Sequence, residues 1–226
     1  MHLLIALIAI LAVFLGPSWW VKRVMRKYRQ PDDRYAGTGG ELAHHLLAQL
    51  GMDHVGVEIT EQGDHYDPQA KMVRLIDDHY HGRSLTAVTV AAHEVGHAVQ
   101  DYDNYAPLKL RTRLAMAAGG LTRAGSILVV VAPIAALLLR NPGLTWLALG
   151  AGVGSILFSA ILHLITLPVE WDASFGRALP LLEKGNYLKE QDYPHARKIL
   201  RAAAMTYVAQ ALFGLAAAWR WLRLPR

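Results

Sequence analysis

Val90-Ala91-Ala92-His93-Glu94-Val95-Gly96-His97-Ala98-Val99-Gln100 decides how this chain is read. Residues four apart on a helix lie one above the other, so His93 and His97 present two imidazoles on one face. Two imidazoles at that spacing suit two positions of a tetrahedral zinc site, with Glu94 beside them as general base. The flanks predict a helix from Ser84 to Gln100. Ser84 can cap its start, and Leu85, Val88, Ala92, Val95 and Val99 give it an apolar side. Gly96 inside the helix costs roughly 1 kcal/mol against Ala, which points to close backbone packing there. Two histidines and a glutamate also meet by chance on solvated helices. The apolar neighbours here count against that, because unpaired polar groups on a buried face are costly.

Outward from this stretch, composition narrows the class. Of the 226 residues 53% are hydrophobic and 18% charged, and the apolar ones are bunched into long runs, as in membrane proteins. The chain has no cysteine, so a zinc site must be built from His, Asp, Glu and water. The net charge of +5 sits beside apolar runs with no nucleic-acid motif, which favours a lipid bilayer as partner and excludes nucleic acid.

His2 to Trp20 is long enough to span, and Lys22, Arg23, Arg26, Lys27 and Arg29 all follow it. A signal peptide carries its positive charge before the apolar run, so residues 1–21 read as a retained anchor with the N-terminus outside. Pro31 to Gly40 reads as a polar linker and Glu41 to Leu50 as a helix stopped by Gly51. Val55 to Thr60 and Lys71 to Ile76 read as strands, with a turn-like Asp64-His65-Tyr66-Asp67-Pro68 between them. Leu114 to Leu139 and Leu144 to Leu167 form a membrane hairpin around the tight turn Arg140-Asn141-Pro142-Gly143. Ala202 to Leu222 spans or lies in the interface. His163, in the second hairpin helix, is a functional candidate by default, with an interfacial or packing role as the rival reading.

Glu170, just after the hairpin, is the candidate third ligand. Two spans separate it from His97, so both lie on the same side of the membrane, and three protein ligands with an open fourth position make a catalytic type of site. Asp172 is a candidate outer partner for a ligand histidine. His65 or Tyr66 is the candidate oxyanion donor, with Tyr187, Tyr193 and His195 as weaker ones. Of the 23 Lys and Arg, 13 fall in residues 22–123 and 6 in 168–201, which puts the site at the cytoplasmic face of the bacterial inner (cell) membrane.

Asp64 to Pro68, Val90 to Gln100 and Leu167-Pro168-Val169-Glu170-Trp171-Asp172-Ala173-Ser174 together resemble the three blocks of the bacterial neutral zinc metallopeptidases of the YugP type. The resemblance runs from about Tyr35 to the final apolar stretch. It implies a membrane zincin with one Zn2+ per chain, His93 and His97 as ligands, Glu94 as catalytic base and Glu170 as the remaining ligand. Glutamate-liganded zincins often carry an acidic residue four places after that ligand, where this chain has Ser174. The fold class expected is a mainly α membrane protein with a small β-sheet, a zincin-like α+β metallopeptidase core fused to transmembrane helices. Its segments are an anchor (1–21), a zincin-like domain (35–113), a transmembrane hairpin (114–167), a third-ligand segment (168–201) and a spanning or interfacial helix (202–226). The function expected is a zinc endopeptidase acting on protein or peptide substrates at the membrane. The alternative is a non-proteolytic scaffold that keeps the zincin shape and binds a protein partner.

Overall fold

The computed structural model describes residues 2–141 and 143–222. Pro142, Arg223 and Arg226 lie outside them, as do the side chains of the first fourteen residues, on which most of the anchor reading rests. Among the described residues eight α-helices accompany a three-stranded sheet: α1 (His2–Lys27), α2 (Gly39–Gln49), β1 (Gly56–Ile59), β2 (His65–Asp67), β3 (Met72–Leu75), α3 (Asp77–Tyr80), α4 (Leu85–Tyr102), α5 (Ala106–Leu138), α6 (Gly143–Trp171), α7 (Leu179–Lys184) and α8 (Tyr193–Leu222). The chain is thus mostly helical, with a small sheet, as expected.

The signature helix is α4. Ser84 caps it, its side chain accepting from Ala87 N at 3.1 Å, which satisfies one of the amides left open at a helix start. Thr38 and Glu41 make a reciprocal capping box for α2. Gly39 and Gly40 open that helix, so the Gly-rich linker ends sooner than the sequence implied. A Cβ on Gly39 would lie 2.3 Å from the carbonyl oxygen of His79, so only glycine lets α2 close onto α3 there. The rest of the linker is tied down: Arg34 and Tyr35 both donate to Asp192, which is 1% exposed.

The sheet has the order β1-β3-β2, with β1 parallel and β2 antiparallel to β3. Val73 and Leu75 on β3 and Tyr66 on β2 face the core. Arg74 faces the other way and donates to Glu58 and Asp67, the alternation a half-buried strand requires. The stretch expected to be a turn at Asp64 to Pro68 is corrected here, because His65–Asp67 is an edge strand. Turn chemistry begins one step later, where Asp67 Oδ1 accepts from the amides of Gln69 and Ala70.

One hydrophobic core collects Val24 from α1, Leu46 and Leu47 from α2, Val73 and Leu75 from β3, Val95 from α4, Leu182 from α7 and Ile199 and Leu200 from α8. Residues from both sides of the α5–α6 hairpin therefore pack together. Leu114 to Leu139 proves to be part of a longer helix, since α5 starts at Ala106 with a proline in its first turn. The second hairpin helix is longer still. Pro168 lies inside α6, which passes without a break through a π-helical stretch (Asp172–Ala178) into α7. Among the described residues one helix, Trp146–Lys184, is long and apolar enough to cross a membrane. Ile127, Val131, Ile134 and Leu137 on α5 and Trp146, Leu147, Ile161 and Leu164 on α6 are all exposed.

Gly96 is where α4 meets the π-helical stretch. A Cβ there would stand 2.5 Å from the carbonyl oxygen of Ala173. Gly→Ala inside a helix ordinarily stabilises by about 1 kcal/mol. Here the sign should reverse, because a backbone carbonyl must shift. Gly96→Ala is expected to lower the thermal midpoint by on the order of 5 °C, read by a melting curve in detergent. A raised midpoint would show that the two backbones are not in contact.

Candidate metal centre

Consecutive turns of α4 carry His93 and His97, with their rings 4.8 Å apart, and the end of α6 carries Glu170. All three side chains are buried, at 4%, 6% and 2% exposure. Glu170 Oε2 lies 3.2 Å from His93 Nε2 and 3.4 Å from His97 Nε2. One ligand atom from each residue can be chosen so that all three lie within 4.8 Å of one another. The three residues singled out in the sequence thus converge.

The other ring nitrogens fix what the Nε2 atoms offer. Ser174 Oγ donates to the carbonyl of Leu200 at 3.3 Å and lies 3.1 Å from His93 Nδ1. Its proton is used, so it accepts from His93 Nδ1–H. Gln100 Nε2 donates to the carbonyl of Val169 and to Asp172 Oδ2, each at 2.8 Å. That orients Gln100 Oε1 to accept from His97 Nδ1–H at 2.9 Å. Both rings are thereby oriented with Nε2 turned toward the Glu170 carboxylate. Two ring nitrogens converging on one buried carboxylate oxygen form a cradle that a single cation would fill. Among the described residues Glu170 Oε1 is also buried without a hydrogen-bond partner, an arrangement that is costly unless something binds there. Two imidazole nitrogens and a carboxylate oxygen are a donor set that fits zinc.

Two of these supports were visible in the sequence only in part. Ser174 stands where an acidic residue was wanted, four places after Glu170 and on the same helix face, and its hydroxyl orients His93. Asp172 does act behind a ligand histidine, but through Gln100, which sequence reasoning passed over although it sits three places after His97. Arg177 Nε also contacts Asp172 at 3.4 Å and so braces the chain of partners from outside. Loss of such outer partners typically lowers metal affinity by 10–100-fold. Gln100→Ala is accordingly expected to weaken zinc binding by about tenfold or more, measured by chelator competition. Unchanged affinity would remove Gln100 from the support of the site.

Glu94 follows the first histidine and lines a cavity of about 260 Å³ together with His93, His97 and Glu170. Burial pushes its carboxyl up to about 8; the neighbouring His93 opposes this, while Asp64 and Glu170 add to it. A cation held by the adjacent ligands favours the ionised form and so brings it back down. The wall also includes Met25 of α1, Arg111 of α5, and Thr206 and Tyr207 of α8. Asp64 Oδ2 accepts from His79 Nδ1 at 2.8 Å on the opposite wall. Tyr66 lines the cavity, yet its hydroxyl proton goes to Asp101 at 2.7 Å. Tyr187 lies against His45 and Gln49 on another face. Tyr193 bonds the carbonyl of Leu182, and the His195 ring packs on Tyr28. None of these last three lines the cavity. The His163 ring packs 5.9 Å from that of Tyr207, the packing role allowed for it.

Residues 3–226 match the model of a family described as "Putative neutral zinc metallopeptidase". The chain is also 37% identical over 209 residues, covering 89% of its own length and 88% of the relative's, to a Bacillus subtilis (strain 168) protein named "Putative membrane protease YugP". No solved structure matches it. With a family match over almost the whole length and a relative this similar, the chain belongs to the neutral zinc metallopeptidase family.

Proposed function

We propose that this chain is a membrane-embedded zinc endopeptidase of the glutamate-liganded zincin type. It would hydrolyse peptide bonds of membrane or membrane-proximal proteins at the cytoplasmic face of the bacterial inner membrane. The observation that carries the reading is the pair of imidazole Nε2 atoms, their rings oriented by Ser174 and Gln100, that converge on the Glu170 carboxylate in a buried cavity. His93, His97 and Glu170 would hold one zinc ion, which when bound supplies Lewis acidity for the scissile carbonyl and for water. Glu94 takes the proton of the attacking water and passes it to the leaving amine. A scaffold has no need of a buried carboxylate in this place, which favours the enzyme.

The place of the cavity supports a membrane-proximal substrate. Met25 follows the apolar run of α1 and its Trp19-Trp20 pair, Glu170 ends the span of α6, Arg111 lies near the start of α5, and Tyr207 lies early in the final apolar stretch, at the middle of α8. The exposed apolar residues of α5 and α6 would face lipid. Segments 1–21, 114–167 and 202–226 then form the membrane part. Residues 35–113 and 168–201 form the catalytic part, which the shared hydrophobic core supports. Strand β2 is a sheet edge whose His65 and Tyr66 line the cavity. An extended peptide can add to such an edge with its carbonyl directed inward.

The test is cleavage of an unstructured reporter protein by the detergent-solubilised chain. Cleavage should depend on zinc, stop on dialysis against a chelator and return when zinc is restored. Cleavage that persists without metal would overturn the reading. The absence of cysteine allows a single Cys at exposed Glu190 to report sidedness. It should react with a membrane-impermeant thiol reagent only in inverted vesicles.

A further inference from the structure

We infer that Tyr207 is the residue that stabilises the oxyanion of the tetrahedral intermediate, and that Arg111 positions it; the inference rests on the peptidase reading above. In the addition step water oxygen bonds to the carbonyl carbon, its proton goes to Glu94, and the carbonyl π electrons become a negative charge on oxygen. A donor preorganised for that oxygen is worth a large part of the barrier. Beside the Arg111 guanidinium and the Gln210 amide, few groups on the cavity wall have a proton to give. Tyr66 spends its hydroxyl proton on Asp101, a carboxylate also held by Lys71. Thr206 spends its own on the carbonyl of Ala202, one turn earlier. His65 Nδ1–H donates to the carbonyl of Gly63 and His79 Nδ1–H to Asp64, each at 2.8 Å. Each of these four gives a proton to a group outside the metal ligand set.

Tyr207 differs from all four. Its hydroxyl accepts from Arg111 Nη2 at 3.3 Å, and the group within reach of its proton is the Glu170 carboxylate, a member of the ligand set itself. A guanidinium donating to a phenol oxygen polarises it into a better donor. The phenol is held from three helices. It stands on α8, Arg111 reaches it from α5, and the His163 ring packs on it from α6. It shares the cavity wall with Glu170 and Glu94, the metal ligand and the base. His163, which the membrane position marked as functional, thus acts by packing the tyrosine.

The experiment compares zinc-loaded wild type, Tyr207→Phe, Arg111→Met and Arg111→Lys in detergent. A fluorogenic peptide substrate gives kcat and KM, chelator competition gives zinc affinity, and a phosphinic peptide that mimics the tetrahedral intermediate is titrated in parallel. Tyr207→Phe keeps the ring on His163. It should lose about 100–1,000-fold in kcat with KM within about threefold, and bind the phosphinic peptide more weakly by a similar factor. Zinc affinity should not change. Arg111→Met should lose about tenfold in kcat, and Arg111→Lys should recover most of it. A Tyr207→Phe enzyme with kcat within about threefold of wild type overturns the inference alone. So does a loss confined to KM or to zinc binding. Failure of zinc-loaded wild type to cleave the peptide or bind the mimic overturns the peptidase reading and this inference with it.

Discussion

Glu94→Gln is expected to leave zinc binding intact while cleavage falls by about a thousandfold or more. The substitution is nearly isosteric, so the packing of α4 around a residue that is 6% exposed is preserved. None of the hydrogen bonds that orient the two histidines passes through Glu94; they run through Ser174 and Gln100. What is lost is the capacity to accept and return a proton, since an amide does neither near neutral pH. Reporter cleavage and zinc content measured on the same preparation separate this from a structural effect. If zinc were lost together with activity, Glu94 would belong to the metal site and not to proton transfer. If cleavage survived, another base would have to be found, and Asp64 is the next carboxylate on the cavity wall.

The residues that carry this prediction were legible because helical spacing is a local property. His93, Glu94 and His97 depend only on the 3.6-residue period, and α4 runs within a residue or two of the range read from Ser84 to Gln100. Glu170 was legible for a different reason, since a hairpin of two spans must return the chain to the side it left. The arrangement around Glu170 was not. No sequence period marks a π-helix, and here it lets the backbone of Ala173 approach Gly96 while Ser174 reaches His93. Gly96 announced a close approach without naming its partner. Edge strand β2 was hidden because Asp64, Asp67 and Pro68 are all turn formers, and only the pairing with β3 reveals the extended backbone. Arg111 and Tyr207 stand 96 residues apart. Each looks ordinary in its own helix, and only the docking of α5 beside α8 makes them a pair.

Glu170→Ala should have the opposite signature to Glu94→Gln, with zinc affinity lost first and activity lost as a consequence. Removing an outer partner of a ligand costs 10–100-fold in metal affinity, so loss of a ligand itself should exceed about a hundredfold. Two consequences pull against each other. The substitution removes a buried carboxylate with one unpartnered oxygen, so the metal-free protein need not be less stable and could gain stability. The histidines keep their partners, so a weak two-imidazole site survives. The expected result is a chain that melts at or above the wild-type metal-free midpoint but loses most of the upward shift that zinc gives wild type. That shift follows from binding to the folded state alone and scales with the logarithm of zinc concentration over the dissociation constant. Melting curves across a zinc titration read both quantities at once. An unchanged zinc-dependent shift would show that Glu170 is not a ligand. A chain that fails to fold even without zinc would show that the carboxylate holds α6 against α4 by itself, through the contacts to His93 and His97.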